Sequence, residues 1–180
     1  MPLHPRDVRR PGAARKTRIF WPLLALLVLA DCTTKALAVE RLSPAYEPHE
    51  VVGSMLQLTL AYNPGTAFGL DLGPWSRPLL IATTVVIVMV LLRTYRRAPA
   101  GDGARAMALA LVCGGAVGNL LDRLRSARGV VDFIDVGLGA HRFWTFNLAD
   151  VGVTTGAVLL MLVLWRQEQE ERTDSASAAA

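Results

Sequence analysis

Four long apolar runs decide what this chain can fold into. They are IFWPLLALLVLADCTTKALAV, PLLIATTVVIVMVLL, AMALALVCGGAVGNLLDRL and FNLADVGVTTGAVLLMLVLW. A helix needs about 20 apolar residues to cross the hydrocarbon core of a bilayer. The runs therefore predict four transmembrane helices over about residues 19–39, 75–92, 104–124 and 146–165, in one membrane domain. The second run is short and borrows residues from Trp75 onward. The hydrophobic content of 52% would also suit a soluble domain, but here it is bunched rather than spread.

The charge pattern orients the spans. Arg6, Arg9, Arg10, Arg15, Lys16 and Arg18 precede the first run, and Arg93, Arg96 and Arg97 follow the second. Basic flanks mark cytoplasmic ends, so both termini are expected inside. This pattern accounts for the net charge of +4 without a nucleic-acid partner. Arg123, Arg125, Arg128 and Arg142 fall on the other side and read as interfacial residues facing lipid headgroups. Trp21, Trp75, Trp144 and Trp165 fall near span ends, as an aromatic belt requires. Residues 168–180 are polar, then Ser- and Ala-rich, and are expected to be disordered.

Two stretches then face outward. In the region of about residues 40–74, VVGSMLQLTLAYN has β-branched residues and partial alternation, and NPG signals a turn. The fold class is thus an all-α integral membrane protein with a small extracytoplasmic antiparallel β-sheet between spans one and two. The other stretch, about residues 125–145, reads as a loop carrying Asp132.

Polar residues gather at the outer depth. Asp31 and Lys35 share a helical face and form an expected structural ion pair. Asn119, Asp122 and Arg123 recur at helical spacing on span three, where Asp122 is expected to pair with adjacent Arg123. Asn147 and Asp150 open span four. No basic residue adjoins Asp132 or Asp150 in sequence. Carboxylates near lipid are costly and usually have a task, and two brought together can share one proton. Gly114 and Gly118 form a small-xxx-small face for close helix packing. Cys32 and Cys113 lie inside apolar runs, without metal-ligand spacing, and the three histidines are scattered. No metal site or cofactor is expected.

Five blocks in order carry a family resemblance: DCTTK from Asp31, NPGTAF from Asn63, GGAVGNLLDR from Gly114, VVDFID from Val130 and FNLAD from Phe146. The chain resembles lipoprotein signal peptidase, also called signal peptidase II. The resemblance implies a bacterial inner-membrane aspartic endopeptidase, active at the outer leaflet as a monomer. It would remove signal peptides from prolipoproteins whose cysteine carries a diacylglyceryl group, cleaving before that cysteine. Its catalytic pair maps onto Asp132 and Asp150. Its substrate-binding and supporting residues map onto Asn63, Gly65, Asn119, Arg123 and Asn147, with Asp31, Lys35 and Asp122 as structural polar groups. Membrane lipids and cyclic peptide antibiotics of the globomycin type are implied partners.

Two other readings compete. A transporter would also carry intramembrane charges, but here they gather at one face and form no path across. LADC before Cys32 resembles a lipobox, yet Asp31 is a poor residue before the cysteine, and three further spans follow.

Overall fold

The computed structural model describes residues 11–65, 73–139 and 141–179. Helix α1 (Pro11–Arg41) leads into strands β1 (Pro48–Val52) and β2 (Leu56–Asn63). A short 3-10 turn (Gly73–Trp75) opens α2 (Ser76–Arg97), and α3 (Gly103–Arg125) returns. Strands β3 (Val130–Leu138) and β4 (His141–Arg142) precede α4 (Leu148–Ala179). All four helices contain segments long and apolar enough to cross a membrane: Arg15–Arg41, Gly73–Arg97, Gly103–Arg125 and Leu148–Ser177.

Two expectations change. The stretch carrying Asp132 is a strand, and the sheet draws on both connections rather than on the one between spans one and two. Its order is β1-β2-β3-β4, with antiparallel neighbours. The register sets Leu58 against Ile134 and Ala61 against Asp132. The physical reason is pairing. Without β3, one edge of β2 would leave its backbone groups exposed, and the β-branched VVDFIDV run satisfies them. The second change is at the C-terminus, where α4 continues through the polar tail. Its Gln, Glu, Arg and Ala residues are adequate helix formers, and Arg172 pairs with Glu168 one turn back at 2.7 Å.

Helix α3 is the hub. α1, α2 and α4 all pack on it, while α2 makes its main helix contact with α3 alone. The small residues on α3 allow this crowding. A methyl group on Gly115 would lie 2.2 Å from the Ala149 carbonyl oxygen, and one on Gly118 would lie 2.5 Å from Asp31 Oδ2. Gly115 therefore sets the approach of α4, and Gly118 that of α1.

Each end of the bundle has its own core. At the end bearing the termini, Phe20 stacks on Tyr95 with ring centroids 3.9 Å apart, over Leu109 and Cys113. There Lys16 Nζ donates to the carbonyls of Tyr95 and Ala98 at 3.1 and 2.8 Å, capping the C-terminus of α2. Asp102 caps α3 through the Arg105 N–H at 2.9 Å and accepts from Gln167 of α4 at 3.1 Å. At the other end, Ala38 of α1 and Leu42 just beyond it pack against Leu60 and Phe133, which seats the sheet on the helices.

Gly115→Ala should separate α3 from α4 and lower stability by ~1–3 kcal/mol, the usual cost of overpacking. Gly101, which has nothing within 4 Å of a built methyl group, is the control. Thermal melts in detergent should show a lower transition for Gly115→Ala and little change for Gly101→Ala. Equal melting of both would mean that the α3–α4 contact is not tight.

Candidate active site

The N-terminus of α4 organises the site. A helix start leaves unpaired N–H groups that need acceptors. Asn147 is the N-cap, and its Oδ1 accepts from the Asp150 N–H at 3.0 Å. Asp150 answers by accepting the Asn147 N–H on Oδ2 at 3.1 Å. This is a reciprocal capping box, with a carboxylate at the third helical position. Between them, the Ala149 N–H donates to Asp31 Oδ1 of α1 at 2.9 Å. The negative groups here also suit the positive end of the helix dipole.

The same residue joins the two candidate carboxylates, by its main-chain N–H to Asp150 and by its side chain to Asp132. Asn147 is fully buried, and its Nδ2 donates to Asp132 Oδ1 at 2.6 Å and to Asn119 Oδ1 at 3.1 Å. Asn119 Nδ2 donates to Asp150 Oδ1 at 2.8 Å. Asp132 on β3 and Asp150 on α4 thus sit in one network, fed by α3. Asp132 is 4% exposed. Burial pushes its carboxyl up to about 6, and the charge of Asp150 adds to the rise. The Asn147 and Asn63 side chains and the Lys35 charge act in the opposite direction. A negative charge beside a buried carboxyl favours its protonated form.

Lys35 supports the network from below. It is almost fully buried and contacts Asp31 Oδ2 and Asp122 Oδ2 at 2.8 Å each, with a hydrogen bond to Asn119 Oδ1 at 2.8 Å. The expected Asp31–Lys35 pair is present. The expected Asp122–Arg123 pair is not formed: adjacent helical residues point about 100° apart and do not face each other. Asp122 instead turns to Lys35 and accepts the Val131 N–H at 3.2 Å, which ties β3 to α3.

Arg123 Nη1 donates to the Asn119 carbonyl at 3.2 Å, and its charge interacts with Asp150, Asp132 and Asp122. Its buried Nε has no partner among the described residues. Proximity in sequence hid this relation, since Arg123 adjoins neither candidate aspartate along the chain. Asn63 closes an Asx turn, with Gly65 N–H on its Oδ1 at 2.9 Å. Gly65 adopts φ 101°, and a methyl group there would strike Leu80 of α2. Thr66 to Phe68 of the NPGTAF block lie outside the described residues.

Sequence reasoning missed two contacts. Arg77 of α2 donates to the Arg123 carbonyl at 2.7 Å, capping the C-terminus of α3. Arg142, expected at lipid headgroups, pairs with Asp135 at 2.7 Å and donates to the Ser54 carbonyl at 2.7 Å. Asp135 at i+3 from Asp132 was the available signal. The LADC stretch lies inside an unbroken α1, with Asp31 held by Lys35.

Four spans with two carboxylates joined through one buried asparagine define a polytopic membrane protein with a buried aspartate site at one end. A family model described as signal peptidase (SPase) II matches residues 23–166. A lipoprotein signal peptidase of Pseudomonas putida is 38% identical, covering 89% of this chain and 95% of that protein. One of Geobacter metallireducens is 35% identical, covering 88% and 97%. A solved structure described as a bacterial membrane enzyme superposes with TM-score 0.73 at 26% identity, covering 82% of this chain and 88% of that one. The chain belongs to the signal peptidase II family, a family of membrane proteases.

Lys35→Ala should leave Asp31 and Asp122 without their shared cation and cost ~3–5 kcal/mol, as for a broken buried pair. Melting temperature and membrane abundance should both fall. Normal melting with activity lost would move Lys35 out of the supporting frame and into the chemistry.

Proposed function

We propose that this chain is an aspartic endopeptidase that removes the signal peptide from diacylglyceryl-modified prolipoproteins, cleaving before the lipidated cysteine. The observation that carries the reading is Asn147, whose side-chain amide donates to the Asp132 carboxylate and whose main-chain N–H donates to that of Asp150. Family membership supplies the substrate class.

The chemistry follows from one proton shared by two carboxyls. Asp132, raised to about 6, holds the proton. Asp150, as the carboxylate, takes a proton from a water placed between the pair. The hydroxyl adds to the scissile carbonyl carbon while Asp132 gives its proton to the carbonyl oxygen. A neutral gem-diol results. Asp150 then passes its new proton to the leaving nitrogen as the C–N bond breaks. A gem-diol hydroxyl returns a proton to Asp132, which restores the starting state. Asn63 and Arg123 flank the pair and would hold the substrate backbone. Asn119, Asn147, Lys35, Asp31 and Asp122 keep the carboxylates in place.

The surroundings suit a lipidated substrate. A cleft of about 320 Å³ beside Asp150 is lined by Phe143, Phe146, Val151, Thr154 and Thr155. Because α2 leans on α3 rather than α4, the substrate's own spanning segment can approach laterally from the bilayer. Arg125 and Arg128 remain as headgroup contacts, Arg128 while stacked over Tyr62 at 4.3 Å.

Purified protein in detergent should cleave a diacylglyceryl-modified prolipoprotein and spare its unlipidated form. Asp132→Asn and Asp150→Asn should each lower cleavage by ~10²–10⁴-fold or more, with membrane levels unchanged. Substantial turnover by either would remove the pair from the mechanism. The wild-type kcat/KM should fall as pH rises through about 6, as the shared proton is lost. The same group affects stability. Its proton is held more tightly in the folded chain, so its contribution is full below about 3.8 and is lost as pH rises through about 6. Asp132→Asn should therefore melt higher relative to wild type at pH 7 than at pH 4, by on the order of 2–3 kcal/mol. A pH-independent difference would show that the carboxyl is not raised.

The site must face the outer leaflet, with both termini cytoplasmic in the inner membrane. Single cysteines at Ser126 and Ala100, in a background lacking Cys32 and Cys113, test this placement. An impermeant thiol reagent on intact spheroplasts should label position 126 and spare 100. The reverse pattern would sink the peptidase reading.

A further inference from the structure

The two hairpin tips of the sheet meet at one end and expose an unusual amount of apolar surface. The Gly137 N–H donates to the Met55 carbonyl at 3.0 Å, and Arg142 reaches the Ser54 carbonyl at 2.7 Å, so the β1–β2 and β3–β4 turns are joined. Around this junction Val52, Met55, Leu138, Phe143 and Trp144 are each between 53% and 77% exposed. Single exposed apolar residues are ordinary, but five large ones on joined turns are not. A groove of about 540 Å³ runs between them, walled by Met55, Val136, Leu138 and Phe143. Among the described residues of its wall, the one guanidinium, that of Arg142, is already bound to Asp135.

The position of this surface identifies its occupant. Trp144 is four residues before Leu148, the first residue of a spanning helix. Four residues of extended chain reach no more than about 14 Å, so Trp144 stays near the level where α4 begins. Below it the exposed Val151, Val158 and Met161 continue the apolar face down α4. Trp75, 75% exposed, stands at the start of α2 at the same end of the bundle. Phe143 lines both the groove and the cleft that Val151 of α4 lines, so the apolar face of α4 meets the sheet there. The Phe143 N–H is fixed to the Val136 carbonyl at 2.8 Å, so its ring is held outward at the seam between the groove and the Asp150 cleft.

We propose that the joined hairpin tips are a membrane-inserting surface, with bilayer lipid as the occupant of the groove. Trp144, Phe143 and Leu138 enter the interface beneath the headgroups, which removes their apolar area from water and holds the sheet against the bilayer. This extends an apolar lane from the lipid to Asp150 by way of Phe143. The inference rests on the membrane setting of the proposed function and not on the chemistry of the two aspartates.

The test uses the full chain with Trp144 as the sole indole, through Trp21→Phe, Trp75→Phe and Trp165→Phe. The protein is reconstituted into phosphatidylcholine vesicles, either unmodified or brominated near the headgroup end or near the tail end of the acyl chain. Expected is a loss of Trp144 emission in brominated vesicles, larger for the shallow bromine. Leu138→Glu with Met55→Glu in the same background should reduce that loss. Emission unchanged by bromine would overturn the proposal. Emission that responds only to a higher protein-to-lipid ratio would assign the face to a second copy and overturn it equally. Cleavage of a lipidated precursor is scored on the same samples. Quenching without cleavage keeps the surface and removes the peptidase reading, and cleavage without quenching does the reverse.

Discussion

The start of α4 is the constraint on which the rest of the site depends. Asn147 and Ala149 are fully buried there, so their N–H groups must find acceptors in the chain. Asp150 and Asn147 satisfy each other's N–H, and Asp31 takes that of Ala149. One local need thus fixes a carboxylate at the mouth of α4 and draws α1 against it. The amide that caps the helix then has its Nδ2 left to give, and it gives it to Asp132. Helix capping and the placement of the carboxyl pair are a single arrangement.

Charge burial would be prohibitive without the second layer. Lys35 sits between Asp31 and Asp122 and also meets Asn119, so one cation serves two carboxylates and orients the amide that touches Asp150. The arrangement demands close helices, which Gly115 and Gly118 permit. Small residues in the middle of α3 are therefore part of the electrostatics. A larger residue at 118 would occupy the space of Asp31 Oδ2 itself.

The sheet contributes more than a cover. β3 carries Asp132 and is held on one edge by β2 and at its root by Asp122. Phe133, the next residue, faces the other way into the Ala38, Leu42 and Leu60 cluster. The alternation of a strand lets one segment place a carboxyl in the site and an aromatic ring in the core.

The sequence by itself determined the four spans and the polar residues that gather at one end of them. Bilayer thickness, basic flanks and helical spacing act locally, and the Asp31–Lys35 pair follows from one helix face. The family blocks were also legible, because they are contiguous. Tertiary structure alone decided the partners. Asp122 left its neighbour Arg123 for Lys35, since adjacent helical side chains diverge. The expected loop around Asp132 became a strand, because β2 had an edge to fill from 70 residues away. The tail stayed helical, since α4 was already nucleated and extending a formed helix costs little per residue. Arg142 turned from lipid to Asp135 when the two turns met. Lys35 with Asp122, and β2 with β3, are contacts between distant parts of the chain, where periodicity and spacing carry no information.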